Sequence, residues 1–256
     1  MATATAEPGV RRVEQIMGMP ILVDVRDDGV NEGALDAVFE WFRVVDATFS
    51  TYKPESEVSR LARDELRVGD ASPDVQDVLA RCEELREETD GYFDAYAGGS
   101  LDPSGLVKGW SVDHAAAMLG LAGFADFAVN AGGDVRLVGR ARPASSWRVG
   151  IQHPLVRDRI AAVVEGDYLA VATSGAYARG NHVLDPHTRR PPTGILSVTI
   201  TGPDLATADA YATAAFAMGS DRAPAWTATL PSGYEAMTIL AADRVLTTSG
   251  FPRPEW

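Results

Sequence analysis

Asp126-Phe127-Ala128-Val129-Asn130-Ala131-Gly132-Gly133-Asp134-Val135-Arg136-Leu137-Val138-Gly139 reads as two short strands, 126–130 and 134–139. The segment Asn130-Ala131-Gly132-Gly133-Asp134 joins them as a tight connection, since adjacent glycines supply the backbone freedom a short turn needs. Outward from this pair towards the C-terminus, further strands are expected at 147–152, 160–173, 182–185 and 196–201. An Ala-rich helix over 205–218, another over 221–229 and a closing hairpin (236–241 and 244–248, turned at Ala242-Asp243) complete that half. Towards the N-terminus lie a helix from about 107, stopped by Gly120, and a helix opened by Ser72 and Pro73. Before these come a short helix near 56–63 and a helix capped by Asn31, with Leu35, Val38, Phe39, Phe42 and Val45 at helical spacing. Residues 10–26 form one or two strands. Helices gather early and strands in the middle, so the expected class is α+β rather than alternating α/β. No linker separates independent units: 1–15 reads as an N-terminal extension and 16–256 as one large domain or two intimate lobes.

The chain has 256 residues, 46% of them hydrophobic, enough for a sizeable core. Its net charge of -13 repels nucleic acid and anionic membranes. A phosphate ligand would therefore need a local cation. Lys53 and Lys108 are the two lysines among 23 basic residues, so a lysine marks a place where a compact ammonium is wanted. Cys82 falls on the apolar side of a helix and is expected to be a buried thiol. The N-terminus lacks a basic segment followed by an apolar one, and no apolar run is long enough to span a bilayer, so the expected compartment is the cytoplasm.

Taken singly, the segments that could carry chemistry are ambiguous. Asp209 and Thr213 lie four apart on one helix, so both can face one hard cation; equally, Asp209 can be an ordinary acid near a helix N-terminus. Gly105-Leu106-Val107-Lys108-Gly109 can hold an anion on backbone N–H groups and an ammonium, or be a plain loop-to-helix junction. It is not a Walker A loop, because no Ser or Thr follows the lysine. Asp134 can be aimed by the Gly-Gly turn at a ligand. His182 is a base or a brace for a strand end. Thr173-Ser174-Gly175 offers hydroxyls without the His and Asp pattern of a hydrolase.

The order of the segments changes the argument. Met17-Gly18, Ser50-Thr51-Tyr52-Lys53-Pro54-Glu55-Ser56-Glu57-Val58-Ser59, Gly91-Tyr92-Phe93-Asp94 and Leu101-Asp102-Pro103-Ser104-Gly105-Leu106-Val107-Lys108-Gly109-Trp110 come first. Val129-Asn130-Ala131-Gly132-Gly133-Asp134, Ala172-Thr173-Ser174-Gly175, His182-Val183-Leu184-Asp185-Pro186-His187-Thr188 and Ala208-Asp209-Ala210-Tyr211-Ala212-Thr213-Ala214 follow. Over about 16–219 this succession resembles the ApbE family of FAD:protein FMN transferases. The resemblance implies a T-fold-like α+β architecture and a mononuclear or binuclear Mg2+ centre. It implies FAD as donor and a Ser or Thr hydroxyl of a partner flavoprotein as acceptor. By motif, the Gly105 carbonyl and the Asp209 and Thr213 side chains would bind the metal. Met17, Tyr52, Tyr92, Phe93, Asp94, Asp102, Lys108 and Leu184 would contact FAD, and His182 would be the base. The sequence departs from the family pattern at Met19, in a short stretch from Asp94 to Asp102, at His187 and Arg189-Arg190, and at Ala212. Hydrolysis of FAD to FMN and AMP, non-catalytic flavin binding and a degenerate interaction domain are the rival functions.

Overall fold

The computed structural model describes residues 9–29, 31–141, 146–156, 158–175 and 183–252. Its frame is an eight-stranded sheet in the order β1-β2-β3-β4-β7-β8-β9-β10. The strands are β1 (Val10–Ile16), β2 (Met19–Val25), β3 (Phe127–Ala131), β4 (Asp134–Val138), β7 (Leu169–Gly175), β8 (Ile195–Gly202), β9 (Glu235–Leu240) and β10 (Arg244–Thr247). Every neighbouring pair is antiparallel. A separate hairpin, β5 (Trp147–Gln152) with β6 (Ile160–Gly166), leaves the sheet between β4 and β7.

The helices are α1 (Glu32–Phe49), α2 (Glu57–Ala62), α3 (Pro73–Glu88), α4 (Ser104–Leu121), α5 (Leu205–Ala217) and α6 (Gly219–Thr227). Because side chains alternate across a strand, the central strands present one set of residues to the helices and another to the opposite face. Ile21, Val23, Val129, Ala131, Ala170, Ala172, Val198 and Ile200 belong to the helix-side core. On the opposite face Val171, Met237 and Ile239 meet Ile151, Ala162 and Val164 of the β5–β6 hairpin. The molecule is thus layered: helices, sheet, hairpin.

Local chemistry accounts for the elements. The Asn31 side chain accepts the Gly33 N–H at 3.0 Å and opens α1, whose buried face is Leu35, Val38, Phe39, Phe42, Val45 and Phe49. The Asp204 side chain opens α5 by accepting the Thr207 N–H at 2.8 Å. Ala-rich α5 is buried nearly all round, as a helix apolar on every side must be. Leu205 and Ala206 at its start both donate backbone N–H groups to Asp113 Oδ2 on α4, each at 2.8 Å.

Several elements differ from the sequence expectation. The stretch 160–173 is two strands, because the chain turns at Asp167-Tyr168 and crosses from the hairpin layer into the sheet. Helix α4 begins at Ser104, so Gly105 and Gly109 are helical, and it runs one residue past Gly120; Gly123, at φ +93°, takes the left-handed turn after it. Ser72 makes no side-chain cap on α3; its backbone N–H goes instead to Glu57 at 2.7 Å. The expected strand 182–185 is, among the described residues, only an isolated bridge from Asp185 to Arg190. The boundary set after residue 15 falls inside β1, whose pairing with β2 starts at Val10. Among the described residues no helix is long and apolar enough to cross a membrane.

Candidate active site

One end of the sheet gathers the chemistry. The β1–β2 turn at Met17-Gly18, the β3–β4 turn at Gly132-Gly133, the C-terminal end of β7 and the start of β8 all lie there, as the antiparallel registers require. Against that end, on the helix face, pack the first turns of α4 and the middle of α5. Gly109 makes the close approach possible. A Cβ there would stand 2.3 Å from the Leu205 carbonyl oxygen, so only glycine lets α4 and α5 meet at this point.

The centre is a lysine held by two carboxylates. Lys108 Nζ lies 2.5 Å from Asp134 Oδ2 and 3.2 Å from Asp209 Oδ1. Both carboxylate side chains are only 2% exposed, whereas the lysine is 24% exposed and reaches the surface. The remaining oxygens are also engaged. Asp134 Oδ1 accepts the Thr173 N–H at 3.0 Å, and Asp209 Oδ2 accepts the Gly109 N–H at 3.1 Å. Burial pushes the Asp209 carboxyl above its ordinary range, and the Lys108 ammonium and the Gly109 N–H pull it back. Burial would lower Lys108, but Asp134 and Asp209 outweigh it and hold the ammonium above its ordinary value. A cation between two buried acids is the arrangement by which such charges are tolerated at all.

One turn along α5, Thr213 Oγ1 lies 3.3 Å from Ser174 Oγ. Thr213 also lines Gly105: a Cβ at Gly105 would sit 3.5 Å from Thr213 Oγ1 and 3.2 Å from the Phe93 ring. An α-helix aims the N–H of residue 109 at the carbonyl of residue 105. Asp209 accepts from that same N–H. Gly105 lies against Thr213, which shares α5 with Asp209 one turn away. Among the described residues no group of three or more His, Cys, Asp or Glu could hold a metal, so a cation here would rely on this mixed set.

A model of the ApbE family matches residues 17–100 and 97–238. The chain belongs to the ApbE family. The FAD:protein FMN transferase of Vibrio cholerae is 38% identical over 133 residues, 48% of this chain and 40% of that protein. The chain spans about two fifths of the length of the first curated relatives it matches. The solved flavin transferase ApbE of Vibrio cholerae superposes with a TM-score of 0.84 at 23% identity, over 94% of this chain and 97% of that one. The ApbE protein of Thermotoga maritima gives 0.85 at 22% identity, over 95% and 98%. These likenesses establish the ApbE fold, α+β with antiparallel sheets and packed helices.

Within that fold, Lys108 meets Asp209, and Gly105 lies against Thr213 and Phe93. The others lie around them in different roles. Met17 adopts φ +54° in the β1–β2 turn and packs on the core. Tyr92 is buried and its ring lies 4.6 Å from that of His187, whose Nε2 is 3.0 Å from the Asp90 carbonyl. His187, which departs from the family pattern, thus ties the loop carrying Leu184 to the turn before Tyr92. Asp94 and Asp102 are occupied locally, accepting the N–H groups of Tyr96 at 2.8 Å and Ser104 at 3.0 Å. Tyr52 is 93% exposed and touches none of the central cluster by hydrogen bond or ring contact. A cleft of about 200 Å3 beside it is lined by Thr51, Ser59, Ala62, Arg63, Ser100 and Leu101. His182 lies outside the described residues.

From the sequence Ser174 reads as a hydroxyl without a hydrolase pattern, and Gly109 only as part of a glycine-flanked helix start. Ser174 carried no signal beyond its hydroxyl. A lone glycine inside a helical pattern is a recognised sign of close packing and could have marked Gly109.

Proposed function

We propose that the chain transfers the FMN half of FAD onto a Ser or Thr hydroxyl of a partner flavoprotein in the cytoplasm and releases AMP, with Mg2+ as cofactor. The observation that carries this reading is the buried Asp209 one turn from Thr213, with Lys108 paired to Asp209 and Gly105 packed against Thr213. Gly105, Asp209 and Thr213 would hold the ion, and all three supply the oxygen donors it prefers. When bound, Mg2+ neutralises charge on the pyrophosphate oxygens. In a protein of net charge -13, Lys108 is the ammonium able to meet the phosphate anion from the exposed side of the cluster.

In the reaction the acceptor oxygen bonds to the phosphorus next to the flavin. The bond from that phosphorus to the AMP oxygen breaks, and AMP leaves with the electron pair. The acceptor proton goes to a base, for which His182 is the proposed group. Base assistance of this kind contributes on the order of 10²–10⁴-fold. Asp134 is committed elsewhere, holding Lys108 and the Thr173 N–H. Tyr92 and Phe93 offer flat apolar surface to a ring of FAD.

The test is intact-mass measurement of a candidate acceptor flavoprotein after incubation with the protein, FAD and Mg2+. The expected result is the gain of one FMN group, lost on adding EDTA and in Asp209→Ala. FMN and AMP released with no gain on any acceptor would replace transfer by hydrolysis. Undiminished FAD turnover by Asp209→Ala would remove the metal assignment.

A further inference from the structure

We propose that Lys108 is a built-in stand-in for the divalent cation: its ammonium occupies the Asp209 oxygen while the ion is absent and gives that oxygen up when the ion arrives. The proposal rests on the metal reading above. It starts from a conflict in the geometry. Both Asp209 oxygens are taken, Oδ2 by the Gly109 N–H and Oδ1 by Lys108, and the side chain is 2% exposed. A cation can gain an oxygen here only if one of these partners yields it.

The two partners differ in freedom. Gly109 is fixed: it lies inside α4 and its Cα is pressed against the Leu205 backbone of α5. Lys108 ends in a flexible four-carbon stem and is part-exposed. Its two ion pairs are also unequal, 2.5 Å to Asp134 and 3.2 Å to Asp209. The longer contact is the one to the metal-binding carboxylate. Lys108 can therefore leave Asp209 and stay tethered to Asp134, which Thr173 holds in place through its backbone N–H. Without such a counter-charge the cation-free pocket would bury two carboxylates side by side, a costly arrangement. The swap keeps a cation beside Asp209 in both states and releases the ammonium from one of its two carboxylates only when the divalent ion is present.

The experiment is calorimetric titration of MgCl2 into the purified protein, FAD-free, for the wild type, Lys108→Met, Lys108→Arg and Asp209→Ala. Removing a competing cation should make Mg2+ bind Lys108→Met at least ~10-fold tighter than the wild type, since one unit charge leaves the pocket. Lys108→Arg keeps the charge and should bind no tighter than the wild type. Equal or weaker Mg2+ binding by Lys108→Met, with binding by the wild type lost in Asp209→Ala, overturns the proposal and leaves the metal reading standing. No Mg2+ binding by the wild type or by Lys108→Met overturns both.

Should Lys108→Met fail to fold, the wild type still decides. The two lysines give two side-chain signals in protein labelled with 13C at lysine Cε. Addition of MgCl2 should move the Lys108 signal and leave that of Lys53, which is paired with Asp46 far along α1, unmoved. A Lys108 signal unmoved at saturating Mg2+ overturns the proposal.

Discussion

Gly109→Ala should destabilise the protein even though alanine is the better helix former. An alanine at an open helical position stabilises by up to about 1 kcal/mol relative to glycine. At residue 109 the new Cβ would meet the Leu205 carbonyl oxygen at 2.3 Å, the Leu205 carbonyl carbon at 2.7 Å and the Ala206 Cα at 2.9 Å. All three are backbone atoms and none can rotate aside. Carbon–oxygen contacts settle near 3.3 Å or beyond, so α4 and α5 must part by about 1 Å. Asp113 resists this by gripping the Leu205 and Ala206 N–H groups. Overpacking of this kind costs roughly 1–3 kcal/mol, and the helix gain of up to about 1 kcal/mol offsets part of it, leaving a net loss of up to about 2 kcal/mol. The same movement stretches the 3.1 Å bond from the Gly109 N–H to Asp209, so Mg2+ binding should weaken as well. Gly120→Ala is the matched control: it lies in the same helix with nothing within 4 Å of the added Cβ, and should leave stability unchanged or raised. Urea unfolding followed by circular dichroism reads both. A Gly109→Ala midpoint equal to or above that of Gly120→Ala would refute the reasoning.

His182→Ala should lower FMN transfer by 10²-fold or more, with FAD affinity and melting temperature near wild type. Transfer at the wild-type rate moves the base elsewhere. Tyr52→Ala should leave the melting temperature unchanged, because the ring is 93% exposed, while weakening FAD binding measured by flavin fluorescence. An unaltered FAD affinity would take Tyr52 out of the binding surface. Cys82 is buried and its thiol is pushed up to about 12 by that burial, so it stays protonated across the physiological range. Ellman's reagent at pH 8 should label less than one tenth of it in native protein within minutes and all of it in urea; rapid labelling of the folded protein would contradict the packing of α3.

The face of α1 was legible because its five apolar positions repeat at helical spacing and nothing else competes for them. The Asp209–Thr213 pair was legible for the same reason, one helical turn being visible in a single chain. The break in 160–173 was not, since an apolar run carries no mark of the layer to which each half belongs. The start of α4 was obscured by Gly105 and Gly109, which local propensity disfavours and which the approach of α5 requires. Nor could spacing show Lys108 between Asp134 and Asp209. That contact depends on the register of β4 against β7 and on how closely two helices pack, and both are tertiary facts. Ser72 shows the opposite failure: it stands at the N-cap of α3 with Pro73 after it, yet its hydroxyl makes no cap bond.

The bond from the Gly109 N–H to Asp209 joins residues 100 apart in the chain. Thr173 to Asp134 spans 39 and Ser174 to Thr213 another 39. Closing loops of this length is entropically expensive, and such contacts form only once most of the chain has collapsed. During synthesis Asp134 and Lys108 emerge well before Asp209, so the nascent chain carries its acids and its ammonium without a pocket to put them in. Any Mg2+-dependent resistance to protease should therefore be absent from nascent chains halted before Thr213 has left the ribosome, and should appear abruptly once α5 is free to dock.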